Sequence, residues 1–184
     1  MAQSNGRARV VVERVRPEID NGRFPVKCIA GDAVTVEADI FTDGQDLVTG
    51  EILYRLVQEE TWRRVTMKSI GNDRWRADIP ASEVGRYLYT VEGWIDRFGT
   101  WRHTMIKRIG SGQDVRTDCL IGANLVEDAA SRAGDEDAGK LRGWARKLRN
   151  ENDLEQSKRE ALGAELAALV QCYPDRRFAV RYEK

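Results

Sequence analysis

One histidine, His103, is the first residue to weigh for chemistry, set between Arg102 and Thr104. As a general base it needs a positioned partner group and a pocket, and its surroundings read as an ordinary strand segment. A metal site needs further ligands within reach, and the cysteines are too far apart along the chain to supply them. Those three, Cys28, Cys119 and Cys172, form no CxxC pair, and their odd number leaves at least one thiol without a partner in the chain. They read as buried free thiols in a reducing compartment. Carboxylates are plentiful, but a pair such as Glu92 and Asp96, evenly spaced on one strand face, becomes an acid/base couple only across a cleft. No nucleophile elbow, P-loop or dinucleotide fingerprint occurs. Gly110-Ser111-Gly112 lacks the spacing of a phosphate cradle and reads as a linker. No catalytic, metal-binding or cofactor-binding residue follows from these patterns, no cofactor is expected, and catalysis by the chain alone is not expected.

The aromatic residues carry a second kind of chemistry. Trp94 and Trp101 flank a predicted turn at Phe98-Gly99-Thr100, close in sequence to Tyr87 and Tyr89. Exposed rings of this kind offer flat apolar faces on which sugars stack, so Trp94, Trp101 and Tyr89 are the candidate stacking residues. The alternative is that Trp75, Trp94 and Trp101 fill a core between two sheets, the commoner use of large aromatics.

The elements that must position these residues change character partway along the chain. Val34, Val36, Ala38 and Ile40 alternate with polar residues, the period of a half-buried strand. The same alternation runs through Ile52, Tyr54 and Leu56, through Trp62 to Lys68, and through Trp75, Ala77 and Ile79, with turns at Asp43-Gly44 and Gly71-Asn72-Asp73. Gly85 to Ile109 is the longest strand-like stretch, with Trp101 to Arg108 as its returning half. Short strands near Arg9 to Val15 and Val26 to Cys28 complete two antiparallel sheets. Beyond Gly110 the period becomes helical. Asp118 caps a helix with Ile121, Leu125 and Ala129 on one face. Leu141, Trp144, Ala145 and Leu148 mark a second helix. A third, capped by Asp153, carries Leu162, Leu166, Leu169, Val170 and Tyr173 and stops at Pro174. The expected fold is mostly β with a helical insertion: an antiparallel sandwich over residues 1–110, a three-helix cluster over 111–174 and a possible returning strand over 175–184.

Composition narrows the function classes. The chain has 184 residues, with thirty basic side chains balanced by thirty acidic ones. No overall field draws it to a polyanion, so nucleic acid is not an expected partner. The helical segment from Asp114 to Pro174 is mildly acidic. No apolar run approaches the roughly 20 residues of a spanning helix, and Met1–Gly6 has no secretory character, so membrane partnership is not expected and the expected location is cytoplasmic.

Four stretches then matter as words rather than as periods. They are Asp20–Arg55 (DNGRFPVKCIAGDAVTVEADIFTDGQDLVTGEILYR), Gly71–Pro80 (GNDRWRADIP), Gly85–Arg102 (GRYLYTVEGWIDRFGTWR) and Tyr173–Tyr182 (YPDRRFAVRY). Together they resemble the N-terminal region of the α-1,4-glucan:maltose-1-phosphate maltosyltransferases, a bacterial family of the α-amylase superfamily. The resemblance runs from about Val10 onward, most specific in the strand-rich part and the tail. It implies an immunoglobulin-like sandwich carrying a helical insertion, within a longer polypeptide whose catalytic residues lie in a separate (β/α)₈ barrel. None of those catalytic residues has a counterpart here. It further implies a homodimer, and a non-catalytic module acting in domain assembly and dimerisation, with the catalytic barrel as its partner. The alternative is a module that binds α-1,4-glucan. Family chains continue past the tail into a further strand-like stretch, so the sandwich is expected to lack an edge strand.

Overall fold

The computed structural model describes residues 9–183. The chain falls into two compact units, one running to Ile95 and resuming at Arg176, the other spanning Asp96–Asp175. The fold class is the expected one, a two-sheet β-structure into which a helical segment is inserted.

The first unit contains β1 (Val10–Arg16), β2 (Ala33–Thr42), β3 (Val48–Leu56), β4 (Arg63–Thr66), β5 (Lys68–Gly71), β6 (Arg74–Pro80), β7 (Tyr87–Ile95) and β8 (Val180–Arg181). They form two four-stranded antiparallel sheets, ordered β1-β2-β6-β5 and β4-β3-β7-β8. The alternation read in the sequence is the one that packs: Val36, Ala38, Ile40, Ile52, Tyr54, Ala77, Ile79 and Val91 share a single core. At its centre Gly50 lies opposite Gly93 in the β3–β7 register. A Cβ on Gly50 would fall 2.3 Å from Cδ1 of Ile40, and one on Gly93 2.8 Å from its Cγ2. The two bare backbones thus make room for a fully buried isoleucine from the facing sheet, a use of glycine that strand propensity alone disfavours. The β5–β6 turn runs Gly71, Asn72, Asp73 at φ of 96°, 49° and 59°, a left-handed path tolerated by these residue types.

Val26–Cys28 forms no strand. Pro25 has no amide to give to a ladder, and the local pairing is the isolated bridge between Ile19 and Phe24.

The second unit contains α1 (Arg97–Gly110), α2 (Arg116–Ala130), α3 (Asp135–Leu148), α4 (Leu154–Leu162) and α5 (Ala164–Cys172). Five helices stand among the described residues where three were expected, and helical structure begins at Arg97 rather than beyond residue 110. The strand expected over Trp101–Arg108 is the helix α1. Its buried residues Phe98, Trp101 and Met105 recur at three and four, a period that alternating aromatic and β-branched residues concealed. Asp96 caps it, accepting from the Gly99 amide at 2.8 Å.

Asp118 does not cap α2 but sits in its first turn, gripped by Arg108 at 2.8 and 3.0 Å. The buried apolar face of α2 is Cys119, Ala123, Val126, Ala129 and Ala130, with Ile121 half exposed. Of the expected Ile121–Leu125–Ala129 stripe, Ala129 is buried and Leu125 packs against the core, whereas Ile121 is exposed; the bare Gly122 lies against Trp101. In α3 the expected face packs as read, with Leu141, Ala145 and Leu148 buried and Trp144 partly so. The third expected helix is divided at Gly163, whose extended backbone (φ −56°, ψ 134°) separates α4 from α5. Arg102 donates to the Leu162 carbonyl at 2.7 Å, occupying an acceptor released by that break. No helix among the described residues is long and apolar enough to cross a membrane.

Candidate functional site

The face of the β4-β3-β7-β8 sheet turned away from the inter-sheet core carries a concentrated set of charges. The antiparallel register sets Glu51 on β3 directly opposite Glu92 on β7, and both are buried. Like charges in that relation repel, and three guanidiniums compensate. Arg64 on β4 donates from one nitrogen to both carboxylates at 3.0 Å. Arg176 donates to both oxygens of Glu51 at 2.7 and 2.8 Å, and Arg181 to Glu92 at 3.1 Å. The Arg176 guanidinium also lies 4.9 Å from the centroid of Trp94. Every carboxylate oxygen accepts at least one of these bonds. The chemical work of the pair is to fasten the returning tail to the sheet.

The three candidate stacking residues occupy different settings. Trp94 is 4% exposed. It shares parity with Glu92, so it faces away from the inter-sheet core and lies beneath Arg176; it is neither an open stacking plate nor core filling between the sheets. Trp101 is 6% exposed on α1, donates to the Asp118 carbonyl at 2.7 Å and packs 5.2 Å from Phe98. Its face meets Gly122, where a Cβ would fall 2.0 Å from a ring carbon. Both indoles are thus covered, and they belong to different units. Tyr89 is half-buried and its hydroxyl donates to the Pro17 carbonyl. Burial, and then the charge of Glu18, raises its pKa.

The remaining residues weighed for chemistry are also dispersed. His103 is exposed on α1, not on a strand. Asp96 caps a helix rather than sharing a strand face with Glu92, and burial, opposed by the Gly99 amide, raises its pKa. Cys119 is buried, whereas Cys28 and Cys172 are exposed, so only one thiol matches the buried reading. No group of three potential metal-ligating side chains occurs among the described residues.

Tyr89 instead lines a groove of about 720 Å³ with Tyr87, Tyr182, Phe24, Glu18 and Arg86. Tyr182 donates to Glu18 at 2.8 Å, and burial, reinforced by that bond, pushes its pKa up to about 12. Sequence reasoning did not single out Phe24 and Tyr182 as groove residues. The alternation of Phe178, Val180 and Tyr182 was the available signal for the latter, whereas Phe24 lies in a loop without period.

Comparison with known proteins accounts for the arrangement as a whole. Residues 8–184 match the family described as alpha-1,4-glucan:maltose-1-phosphate maltosyltransferase, domain N/S. Curated relatives bearing that maltosyltransferase name include proteins of Chlorobaculum tepidum, 47% identical over 98% of this chain, and Myxococcus xanthus, 39% identical over 95%. A third, from Methylacidiphilum infernorum, is 32% identical over 97%. The chain spans only about a quarter of their length, 27%, 27% and 26% respectively. With the strand-rich part, the helical insertion and the tail all inside the match, this chain belongs to the alpha-1,4-glucan:maltose-1-phosphate maltosyltransferase N/S-domain family.

Proposed function

We propose that this chain is the non-catalytic N-terminal module of a cytoplasmic maltosyltransferase that extends α-1,4-glucans from maltose 1-phosphate, acting in domain assembly and dimerisation. The observation that carries the reading is the match of nearly the whole chain to a quarter of each relative, which leaves the larger part of those polypeptides to hold the catalytic barrel. The fastening of the tail through Arg176 and Arg181 supports it, because it sets a fixed direction for the polypeptide at the sheet edge. The test compares the full-length maltosyltransferase with a form lacking this module. Assays of glucan extension from maltose 1-phosphate and of sedimentation should show lost activity or a dissociated dimer; an active, dimeric truncated enzyme overturns the proposal.

The second reading, an α-glucan-binding module, is favoured by the placement of Tyr89 in an aromatic groove. With both indoles covered it rests on that residue. Calorimetric titration of the chain with maltoheptaose tests it, and no heat at millimolar ligand removes it.

A further inference from the structure

Three loops close one end of the sandwich: 17–32 between β1 and β2, 57–62 between β3 and β4, and 81–86 between β6 and β7. The last crosses from one sheet to the other, and backbone bonds tie the other two to it. Gly31 donates to the Ala81 carbonyl at 2.8 Å, Ala81 to that of Asp32 at 2.9 Å and Val57 to that of Arg86 at 2.9 Å. Loops that face water ordinarily carry polar tips, yet the tips here are apolar. Val84 is 91% exposed, Ile29 73% and Phe24 52%, with Ile19 and Val57 half exposed. Ile19, Phe24 and Val84 line the same groove, and the backbone bonds bring Ile29 and Val57 beside them, so the five form one continuous surface. Lys27, Glu60, Glu83 and Arg86 are exposed around it. The outer face of β2 and β6 is the contrast: its exposed side chains are polar groups held in pairs, such as Arg76 with Glu37 at 3.2 Å and Thr35 with Asp78 at 2.6 Å.

Single exposed apolar residues are ordinary, but a continuous apolar patch rimmed by charges of both signs marks a contact surface. We infer that this loop surface, with Ile29, Val57 and Val84 at its tips, is the face by which the module seats against an apolar patch on the catalytic part of the longer maltosyltransferase polypeptide. The inference rests on the proposed role as a module of that polypeptide. Area and chemistry select the occupant. Five side chains at these exposures present roughly 500 Å² of apolar surface. A second copy binding from free solution needs roughly 800 Å² on each partner, more than the patch offers. A domain on the same chain is held by a short link at an effective concentration of about millimolar, so a smaller contact suffices. The chain spans 27% of the length of its Chlorobaculum tepidum relative, so polypeptide for such a domain is at hand. Ile29, Val57 and Val84 offer a sugar neither a flat ring nor a partner for its hydroxyls, whereas an apolar protein surface needs neither.

Thiol labelling, compared between this 184-residue chain and the longer maltosyltransferase that contains it, tests the assignment. Cys28, exposed in the first of the three loops, is the native probe; Val84→Cys reports on the third, and Arg76→Cys samples the polar outer face. Cys28 and Val84→Cys should label rapidly in the shorter chain and at least about 10-fold more slowly in the longer one, as covered thiols do. Arg76→Cys should label alike in both. Equal rates at Val84→Cys, or the same slowing at Arg76→Cys, overturn the inference. Slowing that is relieved when the longer protein is diluted into monomers overturns it in favour of a second copy. Slowing in the shorter chain on addition of maltoheptaose overturns it in favour of a glucan. The wider role is judged separately, since an active, dimeric enzyme lacking the module removes that role whatever the labelling shows.

Discussion

Replacing Gly122 by alanine should destabilise the helical unit, although helices ordinarily favour alanine. Gly122 lies inside α2, where the substitution gains about 1 kcal/mol from propensity alone. Here the new Cβ would stand 2.0 Å from Cζ2, 2.4 Å from Cε2 and 2.7 Å from Cη2 of Trp101. Ordinary contact begins at 3.4 Å, so moving from 2.0 Å demands a retreat of roughly 1.4 Å by the indole or by a helix. The indole is poorly placed to give way, because it is buried and its nitrogen is bonded to the Asp118 carbonyl. A clash with three ring atoms that also displaces a buried hydrogen bond belongs at the upper end of overpacking costs, about 3 kcal/mol. Subtracting the propensity gain leaves a net loss of about 2 kcal/mol. Urea denaturation followed by far-ultraviolet circular dichroism, which weights the helical unit, measures it. Trp101→Phe in the Gly122→Ala background should recover at least about 1 kcal/mol relative to the sum of the two single changes. A Gly122→Ala protein with a raised denaturation midpoint refutes the packing of Trp101 against the α2 backbone.

Three further outcomes are expected. Arg176→Ala removes both bonds to Glu51 and the cover over Trp94; with Arg176 about a third exposed, the loss should be about 1.5 kcal/mol, with faster exchange at Val180–Tyr182. Unchanged exchange there means the backbone ladder alone holds the tail. A thiol-reactive disulfide reagent should modify Cys28 and Cys172 rapidly and Cys119 only after denaturation. Burial, then the charge of Asp118, raises the Cys119 pKa and keeps it from the reactive thiolate; three equal rates contradict this. Tyr182 has its folded-state pKa raised from 10.0 to about 12. Its contribution is therefore fully present below pH 10.0 and is lost as pH rises through about 12. Tyr182→Phe should remove the most alkaline step in the phenolate absorbance titration, and an unaltered titration means that this step does not belong to Tyr182.

The strand-rich part was legible because its core faces repeat at the period of a strand. Val36, Ala38 and Ile40 or Ala77 and Ile79 can be buried together in only one register, and each lies where that period puts it. The α3 face at Leu141, Ala145 and Leu148 was legible for the corresponding helical reason. The stretch from Phe98 to Arg108 was not, because aromatic and β-branched residues favour strands locally while the pattern at three and four depends on what the residues meet. Tertiary packing decided it: Trp101 packs over Gly122, and the buried face of α2 joins Cys119 and Ala123 to the expected Ala129 while leaving Ile121 exposed.

The candidate site divides in the same way. Family words and the absence of a catalytic motif could be read directly from the amino-acid order, since they concern residue identity and local spacing. The facing of Glu51 and Glu92, their compensation by Arg64, Arg176 and Arg181, and the cover over Trp94 depend on strand register and on a return of the chain after an eighty-residue helical insertion. Local sequence specifies which residues want burial or charge partners; only the folded chain specifies which distant groups arrive to satisfy them, because that choice is made by the cooperative packing of elements far apart in sequence.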